Sequence, residues 1–305
     1  MAKVLVTGAH GFIGRHVAKH YAETGSAVTG LGHGIWTQAD WAQWGLSCWH
    51  SADVTVENLL KCNIEPDVIV HCVGSGTVAS SISDPYQDFH CTVGSTLEVL
   101  EFARLHATKA KVVYPSSAGV YGNAKQLPIE ETAPLQPFSP YGAHKLMAED
   151  LCRSFAKNFG LSVALIRFFS IYGAGLRKQL LWDACQKIVR NDTSFFGTGN
   201  ETRDWLHVRD AATLMATAAN HASPDCPVVN GGVGAGVTVK EVLDELFSFL
   251  GRTDKPVFSG SARSGDPAHY IANTRNTLAW GWQPEVNWQD GLSEYTAWFK
   301  GVNSD

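Results

Sequence analysis

The run Val4-Leu5-Val6-Thr7-Gly8-Ala9-His10-Gly11-Phe12-Ile13-Gly14 constrains this chain more than any other part of it. A short apolar, largely β-branched stretch suits a strand buried on both faces. Three glycines follow, and then an amphipathic segment that reaches to about Glu23. Glycines at such a strand-to-helix turn permit the tight bend and let backbone come close to a pyrophosphate, whose charge meets the positive end of the helix. A glycine triplet alone also marks an ordinary turn. Placed in the first βα unit, it points to a dinucleotide. Gly8, Gly11 and Gly14, with Phe12 and Ile13 between them, are therefore candidate cofactor-binding residues.

The same rhythm repeats downstream. Ala27 to Leu31, Asp67 to His71, Lys111 to Tyr114 and Val163 to Arg167 read as strands, and helical patterns over Gly94 to His106 and Tyr141 to Phe159 separate the last three. Such alternation predicts an α/β fold: a doubly wound parallel sheet of the Rossmann type, joined by right-handed crossovers. Residues 1–170 are expected to form the dinucleotide-binding domain. Residues 171–305 are expected to be mostly a smaller C-terminal substrate-binding domain, with Val228 to Gly231 a segment that can return to the sheet.

Composition removes several classes of function. At 45% apolar residues, 305 residues can bury a sizeable core, and no apolar run approaches the ~20 residues of a membrane span. A net charge of −5 without a basic block argues against nucleic acid as a partner. The seven cysteines are scattered, with no C-x-x-C pair, which suits neither a disulfide framework nor a zinc site, so no metal is expected. The first apolar stretch runs at once into Thr7-Gly8, leaving no signal-peptide core. A soluble, cytoplasmic protein is expected.

The stretch after the second strand bears on cofactor choice. A fold that prefers NAD usually places a carboxylate there for the ribose hydroxyls, but Gly30-Leu31-Gly32-His33-Gly34 contains none. No arginine stands ready for a 2′-phosphate either. The cofactor is NAD or NADP, with a lean toward NADP. His33 can assist when protonated, or be a solvated loop residue. Asp53, followed by Val54, can accept a hydrogen bond from an adenine amino group, or cap a helix.

Tyr141 and Lys145 are four residues apart at the start of a helix, so the phenol and the ammonium share a face. A free phenol is only ~0.1% ionised at pH 7; a neighbouring ammonium favours the anion in a desolvated pocket. Upstream, Val112-Val113-Tyr114-Pro115-Ser116-Ser117-Ala118-Gly119-Val120-Tyr121-Gly122 puts hydroxyls just past a strand's carboxyl end, where open parallel sheets bind ligands. The glycine loop, this Ser-Ser-Ala-x-Val-Tyr-Gly stretch, Tyr-x-x-x-Lys and Arg167-x-x-x-x-Tyr172-Gly173 together resemble the extended short-chain dehydrogenase/reductase family. Within it the similarity is to the nucleotide-sugar epimerases, dehydratases and reductases. It runs in register over roughly residues 3 to 175. It continues more loosely through Arg203 to Asp210 and Arg263 to Pro267.

The resemblance implies roles. Tyr141 would be the acid/base that exchanges a proton with the sugar. Lys145 would hold the nicotinamide ribose and favour the phenolate. Ser117 would bond the reacting oxygen, with Ser116 ranked second. Arg203 and Arg263 would grip the diphosphate of a nucleotide-sugar substrate, and Ser170 would face that substrate. A homodimer through paired helices is expected from the same source.

Departures from the family pattern narrow the reaction. Dehydratases carry an Asp-Glu pair where this chain has Ala118 and Gly119, so dehydration is disfavoured. Ser170 and Thr92 stand where Asn is frequent, and four tryptophans (36, 41, 44 and 49) crowd one region, expected to pack a surface loop or else to border a partner or the adenosine end. Two redox readings survive: an epimerase acting at C4 through a transient ketone, placed first, and an NADPH-dependent reductase of a 4-keto sugar. A non-catalytic cofactor-sensing protein is a remote third.

Overall fold

The computed structural model describes residues 1–74, 76–261 and 268–302. Seven strands, β1 (Lys3–Thr7), β2 (Ala27–Gly32), β3 (Leu46–Ser51), β4 (Val68–His71), β5 (Lys111–Ser117), β6 (Ser162–Phe168) and β7 (Val228–Gly231), form one sheet in the order β7-β6-β5-β4-β1-β2-β3. Every pairing in it is parallel. The strand order reverses between β1 and β4, and that switch point opens a crevice beyond the carboxyl ends of the strands. This is the doubly wound architecture expected from the sequence. Val228 to Gly231 does come back to the sheet, in register with Leu165 to Phe168.

Helices cover both faces. The longer ones are α1 (Phe12–Glu23), α2 (Ser95–His106), α3 (Pro140–Phe159), α4 (Gln179–Val189), α5 (Val208–His221), α6 (Val239–Phe249) and α7 (Trp288–Val302). Because successive strand residues point to opposite faces, Val4 and Val6 pack with Val17 and Ala18 of α1 and Leu214 and Met215 of α5. Leu5 between them packs with Leu100 and Phe102 of α2 and Cys152 of α3. That explains the unbroken apolar run in β1. A third cluster gathers Leu181 and Ile188 of α4, Leu243 and Phe247 of α6, and Tyr295 and Phe299 of α7.

Helix α3 has well-defined ends. Ser139 Oγ accepts from the Gly142 amide at 3.2 Å, Pro140 occupies the first turn, and Gly160 closes the helix in the left-handed region at φ +71. Its inner face carries Glu149, fully buried, which accepts from Arg167 Nε at 3.0 Å and Nη2 at 2.8 Å. Arg167 Nη1 also donates to Tyr121 Oη at 3.1 Å and to the Glu131 carbonyl at 3.0 Å. Burial alone would raise the Glu149 carboxyl, but the Arg167 bonds outweigh it and hold it below its ordinary value. The motif residue Arg167 is thus a structural clamp between β6 and α3.

Replacing Arg167 with Met leaves a buried carboxylate without its main partner and should cost about 3–5 kcal/mol, read as a lower urea midpoint and melting temperature. Since the Glu149 carboxyl is depressed in the folded state, its contribution is present above the ordinary carboxylate pKa and is lost as pH falls through the lowered one. The variant should therefore show a weaker loss of stability on acidification than the parent.

Candidate active site

The glycine loop is compressed against its neighbours. The Gly8 amide donates to the Leu31 carbonyl at 2.7 Å, and the Gly11 amide to the Gly8 carbonyl at 2.9 Å. Gly8 sits at φ +73, and a Cβ there would lie 2.9 Å from the Cys72 carbonyl; one on Gly14 would lie 2.2 Å from the Gly8 oxygen. Only glycine allows so close a helix–strand approach. Gly11 begins α1 without a side-chain cap, and the first turn holds no acidic residue. The amides of that turn, Phe12 and Ile13 among them, sit at the positive end of the helix without a competing anion. These features fit the pyrophosphate of a dinucleotide.

At the neighbouring edge, His33 Nε2 and Asp53 Oδ1 are 2.6 Å apart, and both side chains are exposed. Thr55, not Asp53, caps the short helix Val56–Lys61, and the Asp53 carboxylate stays exposed beyond the carboxyl end of β3, paired with His33. Val54 packs partly buried below it. The four tryptophans run from the loop at residue 36 through a short helix into β3. Trp36, Trp41 and Trp49 pack against the core, Trp36 and Trp49 edge to face at 5.4 Å, while Trp44 lies under the Arg15 guanidinium at 5.2 Å. They brace α1 and the loop before it.

The strand β5 splits its two serines. Ser116 Oγ is buried and donates to Glu149 Oε1 at 2.6 Å, turned into the core and away from the crevice. Ser117 lies on the other side, accepting from the Gly119 amide at 3.1 Å. A Cβ at Gly119 would lie 3.4 Å from Ser117 Oγ and 3.6 Å from the Tyr141 ring, so the two hydroxyl-bearing residues meet across this glycine. The Tyr141 amide donates to Ser81 Oγ at 3.0 Å, which fixes the start of α3. Burial pushes the Tyr141 phenol up from its ordinary pKa; hydrogen bonding with Ser117 pulls down, and the Asp88 charge pushes up again.

Lys145 is buried one turn on. Its Nζ donates to the Pro115 carbonyl at 2.9 Å and lies 4.7 Å from the centre of the Tyr114 ring. Burial lowers it to about 8, against the upward pull of Cys72, Asp88 and Glu149. A Cβ on Gly74 would stand 3.6 Å from both Lys145 Nζ and Thr92 Oγ1. Thr92, on the single π-turn His90–Gly94, is wholly buried and its hydroxyl has no hydrogen-bond partner among the described residues. An orphaned buried hydroxyl beside a buried ammonium is a mark of a ligand-facing wall.

Sequence reasoning passed over what lies behind this wall. His71 Nδ1 meets Thr7 Oγ1 at 2.6 Å and its Nε2 meets Ser95 Oγ at 3.2 Å; burial first, and Lys145 second, lower its pKa to about 3. Asp88, buried, is hydrogen-bonded to His144 Nδ1. The signal for that pair was His144, a titratable residue directly before Lys145 on a helix whose inner face was already assigned.

On the far side, Ser170 opens the short strand Ser170–Tyr172, parallel to Trp205–His207. Arg203 Nη1 donates to the carbonyls of Thr202 at 2.9 Å and Ala268 at 3.2 Å. Arg263 lies outside the described residues. Among the described residues, no group of three His, Cys, Asp or Glu side chains could hold a metal ion, and no helix is long and apolar enough to cross a membrane.

A phenol, an ammonium and a serine hydroxyl beyond a parallel strand, next to a pyrophosphate-fitting loop, can move a proton while a dinucleotide exchanges hydride. Residues 4–231 match the model of the NAD dependent epimerase/dehydratase family. The chain belongs to that family. Among its curated members, UDP-glucose 4-epimerase of Azospirillum brasilense is 30% identical, over 95% of this chain and 89% of its own. A crystal structure of UDP-glucose 4-epimerase from Thermotoga maritima with UDP-glucose superposes with a TM-score of 0.88 at 25% identity, covering 98% and 99% of the two chains. MoeE5 in complex with UDP-glucuronic acid and NAD gives 0.87 at 28%, with the same coverage.

Gly14→Ala should disrupt cofactor binding in this member of the family, because its methyl group must displace the Gly8 carbonyl. Titration with NAD, followed by thermal shift, should show affinity reduced by about a hundredfold or more, the equivalent of ~2.7 kcal/mol.

Proposed function

We propose that this chain is an NAD-dependent UDP-sugar 4-epimerase. The observation that carries the reading is the convergence of Tyr141, Ser117 and Lys145 at the carboxyl end of β5, beside the glycine loop, with no acid at 118 or 119. The names of the relatives support C4 epimerisation and lend nothing to the reductase alternative. The family's NAD dependence supports NAD over the NADP lean.

In this reading Gly8, Gly11 and Gly14, with the Phe12 and Ile13 amides, hold the cofactor diphosphate. Asp53, with His33 bound to it and Val54 beneath, faces the adenosine end, and Lys145 holds the nicotinamide ribose. When bound, the oxidised nicotinamide supplies a reversible hydride acceptor. Tyr141, as phenolate, takes the proton from the C4 hydroxyl while Ser117 Oγ bonds to that oxygen. The Lys145 ammonium stabilises the phenolate, and the buried Lys145 beside a half-buried Tyr141 limits the water that can compete for the proton. Once C4 is a ketone, the sugar must present its other face. Arg203, and Arg263 from the segment outside the described residues, hold the diphosphate meanwhile, and Ser170 leaves room where a larger amide is frequent. C4 then regains, on its other face, the hydride it gave up, and Tyr141 returns its proton to the same oxygen, so no net redox change occurs. Ala118 and Gly119 offer no group to expel water from the ring.

The region from 171 to 305 is assigned the nucleotide-sugar side of the crevice, apart from β7 and α5. We further infer a cytoplasmic homodimer: Leu97 and Leu105 of α2 and Met147 and Phe159 of α3 are exposed apolar side chains on two neighbouring helices.

Purified protein should convert UDP-glucose to UDP-galactose, or another UDP-sugar to its C4 epimer, without net consumption of nicotinamide. Steady NADPH oxidation with a 4-keto sugar nucleotide would overturn this reading. Tyr141→Phe should lower kcat by about 10²–10⁴-fold with the fold intact. Lys145→Met removes the cation that favours the phenolate, so the acid limb of the pH–rate profile should move upward, with a larger loss of activity at pH 7 than at pH 9.

A further inference from the structure

A second ammonium in the crevice has no part in this scheme. Lys178 stands directly before α4, partly buried, and its Nζ reaches the Gly76 carbonyl at 3.4 Å. That is longer than the roughly 2.7–3.2 Å of a good N–H···O bond. No carboxylate among the described residues pairs with it, and burial alone lowers its pKa. Gly76, at φ +71, makes the room: a Cβ there would fall 2.5 Å from Lys178 Nζ. The following residue, Gln179, is held at φ +65, a conformation that costs a non-glycine residue free energy. The chain thus holds a strained backbone beside a cation that no carboxylate among the described residues neutralises.

Its position narrows what it faces. Gly76 is two residues beyond Gly74, so the two Cα atoms are at most about 7.6 Å apart. Gly74 in turn borders Lys145 and Thr92. Lys178 therefore lies on the reacting side of the crevice, whereas Arg203 rests against Thr202 and Ala268. In a sugar nucleotide the diphosphate is on C1, across the ring from C4, while C6 is two bonds from C4.

We propose that Lys178 is the counter-ion for a carboxylate at C6 of the substrate sugar, which makes the preferred substrate a UDP-linked hexuronic acid rather than a neutral UDP-hexose. This rests on the epimerase reading. A neutral hydroxymethyl group would leave a partly desolvated ammonium with only a long bond to a carbonyl; a carboxylate gives it a charge-assisted bond.

The test compares UDP-glucuronic acid with UDP-glucose, using the parent and Lys178→Met, the latter checked for an unchanged melting temperature. Conversion to the C4 epimer gives kcat/KM, and calorimetric titration gives Kd for both sugars and for UDP. The parent should favour the uronic acid, and in Lys178→Met the uronate-to-neutral ratio should fall about ten- to a hundredfold in both measures. An unchanged ratio overturns the proposal, as does equal weakening of UDP and both sugars, which would assign Lys178 to the diphosphate. If neither sugar is epimerised, the function reading fails separately, and the ratio of Kd values still decides the role of Lys178.

Discussion

The buried ammonium of Lys145 is the constraint on which the proposed reacting end of this protein depends. Desolvation works against its charge and brings it to about 8, yet the fold gives it an acceptor in the Pro115 carbonyl and the electron-rich face of Tyr114. Its place depends on α3 starting where it does, which Ser139, Pro140 and the Ser81 bond to the Tyr141 amide jointly set. Shift that start by one residue, and phenol and ammonium rotate about 100° from the strand end. In the proposed mechanism the Tyr–Lys pair can act together only because a helix cap fixes its phase.

Strand β5 ties stability to the proposed chemistry. Successive serines face opposite ways: Ser116 completes the Glu149–Arg167 clamp inside, and Ser117 meets Tyr141 outside. The clamp holds β5, β6 and α3 in fixed relation, so the same ion pair that stabilises the core also keeps the phenol aligned. The glycine loop has a comparable double character. Contacts that no other residue tolerates bring α1 against β1, and the same approach exposes the helix's amide end to an anion.

Much of this was legible from pattern alone. The apolar run of β1, the three glycines and the four-residue spacing of Tyr141 and Lys145 are local features, and local geometry follows from them directly. The return of residues 228–231 was visible as a candidate but not decidable, because pairing with β6 is set by distant contacts. Ser116 and Ser117 could be ranked but not separated by sequence; alternation on a strand separates them. The tryptophans were expected to pack a loop, yet three of them join the core, since His10 and Arg15 supply partners that no periodicity announces. Asp88–His144 and Thr92 were equally hidden, because each acquires meaning from a neighbour far along the chain.

The central claim is that Tyr141 moves a proton at the C4 oxygen while the hydrogen on C4 leaves and returns without meeting solvent. The direct measurement is epimerisation of a UDP-sugar bearing deuterium at C4, followed by mass spectrometry and proton NMR of the product. The account predicts that the epimer keeps its deuterium at C4, and that unlabelled substrate turned over in heavy water gains none there. Loss of the label to solvent, or its entry from solvent, would contradict it.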